Sequence, residues 1–188
     1  MKNKLGFTLL ELLVVVLIIG ILTSIALPQY NKAVEKSKAT QGITLLKTLG
    51  QAADLYYLQK GEFPSSLEDF DVQFPSDWTG TEKFWNEQVI DVRSNGEWSL
   101  LLQVQKPSNT YIIWLGRLKG KYRGTGFGYY PVKQSINLPT NIPTNILLCA
   151  EVKNGTIPFQ GKEDSYCTKI WNGTRVHNGT MRIYTFKP

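Results

Sequence analysis

Among its 188 residues the chain has one histidine, two cysteines and two methionines. His177, Cys149 and Cys167 do not supply four ligands at a recognised zinc spacing, so no metal centre is expected. Catalytic signatures are missing too. There is no phosphate-binding glycine loop, no Gly-x-Ser-x-Gly elbow and no His-Glu-x-x-His, so neither an enzyme nor a cofactor is expected. The acidic run Glu68-Asp69-Phe70-Asp71 fits no calcium-loop spacing and reads as a solvated turn, and His177 reads as an exposed residue approaching a hairpin. Without internal repeats or low-complexity tracts, the length points to one globular domain on a stalk. The most informative absence is charge. The sixteen residues from Leu12 to Leu27 carry none.

That run makes an apolar helix. From Phe7 to Leu27 are 21 residues, or about 31 Å at the helical rise, which matches a bilayer core. Lys2 and Lys4 ahead of it set the amino terminus on the cytoplasmic side and the remainder of the chain outside. Glu11 is the exception, a lone carboxylate near the start of a lipid-compatible segment. It reads either as a functional group with a partner or as a residue held at headgroup depth. An ordinary secretory signal would be cleaved after the run, where Ser24-Ile25-Ala26-Leu27 makes only a weak site.

The stretch Leu5-Gly6-Phe7-Thr8-Leu9-Leu10-Glu11, with Gly20 and Pro28-Gln29-Tyr30 beyond it, resembles the type IV pilin superfamily, which includes the pseudopilins of type II secretion. The resemblance covers about the first thirty residues firmly and the helix up to Gly61-Glu62-Phe63-Pro64 more loosely. It implies a leader from Met1 to Gly6, cut by a prepilin peptidase between Gly6 and Phe7, with methylation of the new amino terminus. It further implies assembly at an inner-membrane platform into a homo-oligomeric helical filament, with minor pilins as further partners, in which Glu11 pairs with the Phe7 amine of a neighbour. Leaving one member of such a pair unpartnered in an apolar bundle is costly, so misregistered packings are penalised. Gly20 and Pro28 weaken a helix interior, which makes the segment between them a candidate for bending under tension. Ordinary tolerance of Gly and Pro in membrane helices explains them equally well.

Past Pro28, the positions Ala39, Ile43, Leu46, Gly50, Ala53 and Tyr57 recur at steps of three and four, and Lys32, Glu35, Lys36 and Lys47 fall mostly off that stripe. One helix is therefore expected to run to about Gln59 and stop near Gly61 and Pro64. The expected organisation is residues 1–6 as leader, 7–27 as membrane and polymerisation helix, 28–61 as amphipathic helix and 62–188 as a globular, β-rich head. The fold class is α+β, a long helical spine on an antiparallel sheet.

In the head, Glu97 to Gln105 and Thr110 to Leu118 are expected strands with Lys106-Pro107-Ser108-Asn109 as their turn. Glu62 to Arg93 is expected to be an irregular loop, and Pro131 to Asn145 a surface crossing. Asn-Gly-Thr occurs at Asn154, Asn172 and Asn178, beside the strand-like runs Leu147 to Lys153, Lys169 to Trp171 and Met181 to Phe186. Hairpin turns are the economical reading, with glycosylation as the alternative. Cys149 and Cys167 both fall outside the cytoplasm. A bond between them is expected and is worth about 3 kcal/mol in the chain-entropy account, two free buried thiols being the alternative. The resemblance places this pair where the family commonly has a disulfide-bounded carboxy-terminal loop.

The formal charge of +6 falls to +4 when the leader takes two lysines with it. Arg117, Lys119, Lys121 and Arg123 form the densest basic stretch. They offer either a patch for DNA or an acidic surface polymer, or the charged protection of a strand edge. Three functions remain: a pilin of an extracellular filament, a secretion pseudopilin, and an anchored binding module that never polymerises.

Overall fold

The computed structural model describes residues 7–85, 89–105, 110–130 and 146–186. Gly6, the expected turn Lys106 to Asn109 and the expected crossing Pro131 to Asn145 lie outside them. The chain divides into two compact units, Met1–Lys38 and Ala39–Pro188.

The first helix, α1, spans Leu9–Lys60 and continues through Pro28. Its stripe in the second unit is where the 3.6-residue period puts it. Ala39, Ile43, Leu46, Leu49 and Ala53 are at most 4 % exposed, Gly50 is buried and Tyr57 is half-buried. Glu35, expected off the stripe, is buried. The helix ends as its glycine predicts: Gly61 has φ +73°, and its N–H donates to the Tyr57 carbonyl at 2.8 Å, a left-handed cap that a side chain would strain.

Among the described residues seven strands form one antiparallel sheet: β1 (Val89–Ser94), β2 (Trp98–Gln105), β3 (Thr110–Arg117), β4 (Thr125–Tyr130), β5 (Ile146–Val152), β6 (Thr174–Asn178) and β7 (Met181–Thr185). Their spatial order is β1-β2-β3-β4-β5-β7-β6, a meander extended by a hairpin that docks through its second strand. Both faces are apolar because side chains alternate along each strand. Leu100, Leu102, Tyr111, Ile113, Leu115, Phe127, Tyr129 and Leu147 pack in one core with the helical stripe. Leu101, Ile112, Trp114, Tyr130, Leu148 and Ile183 form a second core with Phe84 and Trp85.

The helix approaches the sheet closely at Gly50, where an added Cβ would lie 2.5 Å from the Tyr129 ring. One turn on, the Asp54 carboxylate accepts the hydroxyls of Tyr111 at 3.1 Å and Tyr129 at 2.7 Å. Burial, reinforced by Asp54, pushes both phenols well above the ordinary tyrosine range.

Five expectations require correction. The segment Glu62 to Arg93 is not wholly irregular: it holds β1 and a 3-10 turn, Leu67–Asp69. In that turn Ser66 and Asp69 cap each other, so the acidic run is an ordered turn and not simply a solvated one. Asp91 of β1 accepts from the Ser66 hydroxyl and the Leu67 N–H, which ties the turn to the sheet edge. Lys169 to Trp171 is not a strand. Its backbone is closed locally, with Ile170 N donating to Tyr166 O at 2.9 Å and Asn172 N to Thr168 O at 3.0 Å. Of the three Asn-Gly-Thr sites, Asn178 alone opens a hairpin between adjacent strands. Asn154 leads out of β5 into a bend, and Asn172, at φ 54°, ends the local turns before β6. Finally, the basic run is not at an edge, since it starts on β3 and continues through the β3–β4 turn, and both strands are internal.

Candidate functional site

Three places carry the residues singled out by the sequence: the start of α1, the disulfide region and the β3–β4 turn. At the start of α1, Thr8 and Glu11 cap the helix reciprocally. Glu11 N donates to Thr8 Oγ1 at 3.2 Å, while Thr8 N and Thr8 Oγ1 donate to Glu11 Oε2 at 2.8 and 2.7 Å. This is a capping box, and it sets the carboxylate at the positive end of the helix dipole. Sequence reasoning concentrated on Glu11 and overlooked Thr8. The signal was present in the Thr-x-x-Glu spacing. Among the described residues no donor reaches the second carboxylate oxygen, Oε1, which leaves an acceptor open at the helix end.

The side chains that follow are uncovered. Every large apolar residue from Phe7 to Leu27 is at least 44 % exposed, and Phe7 itself is 81 % exposed. Gly20 faces open space. The segment is long and apolar enough to cross a membrane, and a continuous apolar surface of this kind requires lipid or protein around it.

In the second unit Cys149 of β5 is bonded to Cys167, Cα to Cα 5.7 Å, which closes a loop with a sequence separation of 18. Beside the bond lies a residue that sequence reasoning missed entirely. Glu151 has no exposed surface. Its Oε1 accepts the N–H groups of Tyr166 and Cys167 at 3.0 and 3.1 Å, and its Oε2 those of Asp164 at 3.0 Å and Arg182 Nε at 3.2 Å. Tyr184 shares its hydroxyl between Glu151 and Asp164. Arg182 supplies the countercharge, with its side chain 9 % exposed. The carboxylate thus pins three backbone amides of the disulfide-bounded loop to the sheet. Nothing in the sequence marks Glu151 beyond its place two residues after Cys149, on the same face of β5 as that cysteine.

The basic stretch separates. Arg117 is withdrawn into the fold, 5 % exposed, paired to Glu97 at 2.9 Å and stacked over the Trp98 ring at 4.9 Å. Lys119, Lys121 and Arg123 are exposed on the turn. Tyr122, which Lys121 overlies at 5.4 Å, points inward against Tyr166. Three cations without an available aromatic face make a weaker platform for a polyanion than the four-cation run suggested. His177 is half-buried on β6, not exposed.

Comparison with known proteins bears on the first of these places and on the whole chain. The family description "Prokaryotic N-terminal methylation motif" matches residues 1–27. A fimbrial protein of Pseudomonas aeruginosa is 39% identical over 79 residues, 42% of this chain and 51% of that protein. The chain thus spans about half the length of that relative. A fimbrial protein of Neisseria meningitidis serogroup A is 37% identical over 141 residues, 72% of this chain and 79% of the relative. The chain belongs to the type IV pilin family. A third relative of this pilin, described as type IV major pilin protein PilE1 of Neisseria gonorrhoeae, is 36% identical over 70 residues, 37% of this chain and 42% of that one. No solved structure matches the pilin. Its long amino-terminal helix, seven-stranded antiparallel sheet and carboxy-terminal disulfide agree with the fold that the sequence led us to expect.

Proposed function

We propose that this pilin is a structural subunit of an extracellular filament. In this reading it is inserted in the inner membrane through its apolar helix, amino terminus inward. A prepilin peptidase then cuts between Gly6 and Phe7 and methylates the new amine. The assembly platform extracts the subunit into a helical polymer, in which Glu11 pairs with the Phe7 amine of a neighbour. The segment from Gly20 to Pro28 is the part of the helix that gives under tension.

One observation carries the reading. A fully uncovered apolar helix begins with a single carboxylate whose Oε2 is satisfied within its own chain and whose Oε1 is open. The internal cap holds the carboxylate in place at the helix end, where an incoming amine from another copy would meet it without first ordering the side chain.

The test is Glu11→Ala with Thr8→Ala as its control, in a strain expressing the full chain. Both variants lose the cap, but only the first loses the charge. Glu11→Ala is expected to insert, to yield a mature chain beginning at Phe7 by intact mass, and to give few or no filaments in sheared surface material under the electron microscope. Thr8→Ala should retain filaments. Wild-type filament yield from correctly processed Glu11→Ala would overturn the pairing. Filaments confined to the periplasmic fraction would instead identify a secretion pseudopilin.

A further inference from the structure

The described residues contain four Asn-Gly dipeptides, at Asn95, Asn154, Asn172 and Asn178, and three of them are followed by the same threonine. Asn-Gly is the pair most prone to intramolecular attack. Glycine has no side chain to hinder its backbone nitrogen as it approaches the side-chain carbonyl carbon of the preceding asparagine. Reaction needs three freedoms: an accessible asparagine, an uncommitted side-chain amide and a glycine N–H that is not holding the fold together. The structure grants these unequally.

Asn95 is fully engaged. Its Oδ1 accepts from Glu97 N and Trp98 N at 3.1 and 2.8 Å, and its Nδ2 donates to Asp77 at 3.2 Å. Asn172 is fixed at φ 54°, and the nitrogen that would attack it, Gly173 N, donates to Cys167 O at 2.8 Å from a buried position. Asn178 sits in the β6–β7 turn with its Oδ1 held by Lys153 Nζ at 3.2 Å, and Gly179 N donates to Met181 O at 3.2 Å.

Asn154 has none of these restraints. Its own N–H is bonded to Thr180 O, which anchors one end. Its side chain and the Gly155 N–H have no partner among the described residues, and both residues are exposed in a bend.

We propose that Asn154 is a site of self-modification in the native protein, converting to aspartate and isoaspartate ahead of the other three. Gly155 N loses its proton and forms a bond to Asn154 Cγ, and the Cγ–Nδ2 bond breaks with release of ammonia. Water then opens the resulting five-membered imide at either carbonyl, leaving a carboxylate. The product adds one negative charge to the exposed 153–156 bend next to Lys153. In its isoaspartate form it also lengthens the main chain between two fixed points, the Asn154 N–H bond to Thr180 O and the Ile157 N–H bond to Phe84 O. The modification therefore marks older copies of the protein with both a charge change and a locally loosened bend.

The sequence supplies its own control. Each of the four asparagines falls in a separate tryptic peptide, and the three Asn-Gly-Thr sites share their local chemistry. The full-length protein is incubated in detergent at near-neutral pH, in parallel with a sample kept reduced and unfolded. Samples are digested over time, and acid formation is followed by mass spectrometry with isoaspartate-specific methylation as a second readout. In the native sample Asn154 is expected to convert several-fold faster than Asn172 and Asn178, and in the unfolded sample the three rates should converge. Asn154→Gln should remove the leading species. Equal native rates at the three sites would overturn the proposal, as would an unchanged lead for Asn154 after unfolding, which would place the preference in flanking sequence. A sugar mass on Asn154 would also overturn it, because a substituted Nδ2 is a different modification.

Discussion

Replacing Glu151 by alanine tests whether the carboxy-terminal loop is held mainly by its disulfide or by the carboxylate beside it. The substitution deletes the acceptor of four N–H groups and leaves the Arg182 guanidinium inside the fold, its nearest remaining carboxylate oxygen on Glu163 at 3.9 Å. Breaking a buried pair in this way costs about 3 to 5 kcal/mol, because the surviving charge stays desolvated. The three backbone donors add about 1 to 3 kcal/mol each if nothing replaces the carboxylate, but water entering the vacated volume satisfies part of that demand. We therefore expect a loss of about 3 to 5 kcal/mol, at least equal to the roughly 3 kcal/mol from reducing a disulfide that closes a loop of this size. Against a typical domain stability of about 5 to 15 kcal/mol, either change is severe. The assay is urea unfolding of the detergent-solubilised protein, followed by tryptophan fluorescence, for wild type, Glu151→Ala, Glu151→Gln and the reduced wild type. Glu151→Gln should fall between, since its amide keeps one acceptor but turns an NH2 towards N–H donors. Arg182→Met combined with Glu151→Ala should recover part of the loss. A cost below about 1 kcal/mol for Glu151→Ala, with an unchanged denaturant slope, would refute the reasoning.

Two further outcomes follow from the contact between helix and sheet. Gly50→Ala puts a Cβ where the Tyr129 ring lies at 2.5 Å, and because Asp54 holds that ring by its hydroxyl, a loss of about 1 to 3 kcal/mol is expected in the same unfolding assay. Stability should also fall in alkali. Burial raises the phenols of Tyr111, Tyr129, Tyr130 and Tyr184 above their ordinary value, so the folded chain keeps protons that the unfolded chain releases from about pH 10 upward. Their contribution is complete below that pH and is lost as pH rises through the folded values. A urea midpoint unchanged between pH ~8 and pH ~11 would contradict this, and Asp54→Asn should make the decline shallower.

The parts of this fold that were legible are those where one rule acts without competition. The helical stripe from Ala39 to Ala53 faces a core, so its period survives intact, and Gly61 ends the helix where no L residue would. The strands β2, β3, β5 and β7 announced themselves through runs of large apolar residues. β4 did not, because two glycines interrupt the apolar pattern of Thr125-Gly126-Phe127-Gly128-Tyr129-Tyr130. Those glycines in fact make room for neighbours, the Trp114 ring lying 2.5 Å from where a Gly128 Cβ would sit. Lys169 to Trp171 misled for the opposite reason: apolar Ile170 and Trp171 suggested a strand, but they are buried from a locally bonded turn whose position is set by Cys167 and Glu151. The Glu151 cluster was beyond reach, since it gathers Asp164, Tyr166, Cys167, Arg182 and Tyr184 across separations of 13 to 33 residues. At the amino terminus the charge of Glu11 was conspicuous, whereas the hydroxyl that orients it was hidden by its ordinariness.

Both outer strands of the sheet are bulged, β1 between Val89 and Asp91 and β6 between Arg175 and His177. A filament of the proposed kind confines sheet domains at an effective concentration far above anything a dissolved protein meets, in the millimolar range for tethered modules. Flat edges at that density would zip together strand to strand, and the polymer would set into cross-β material. The two bulges twist each edge out of register with any copy of itself. In such a filament, crowding would press helices together while each sheet edge stayed unpaired.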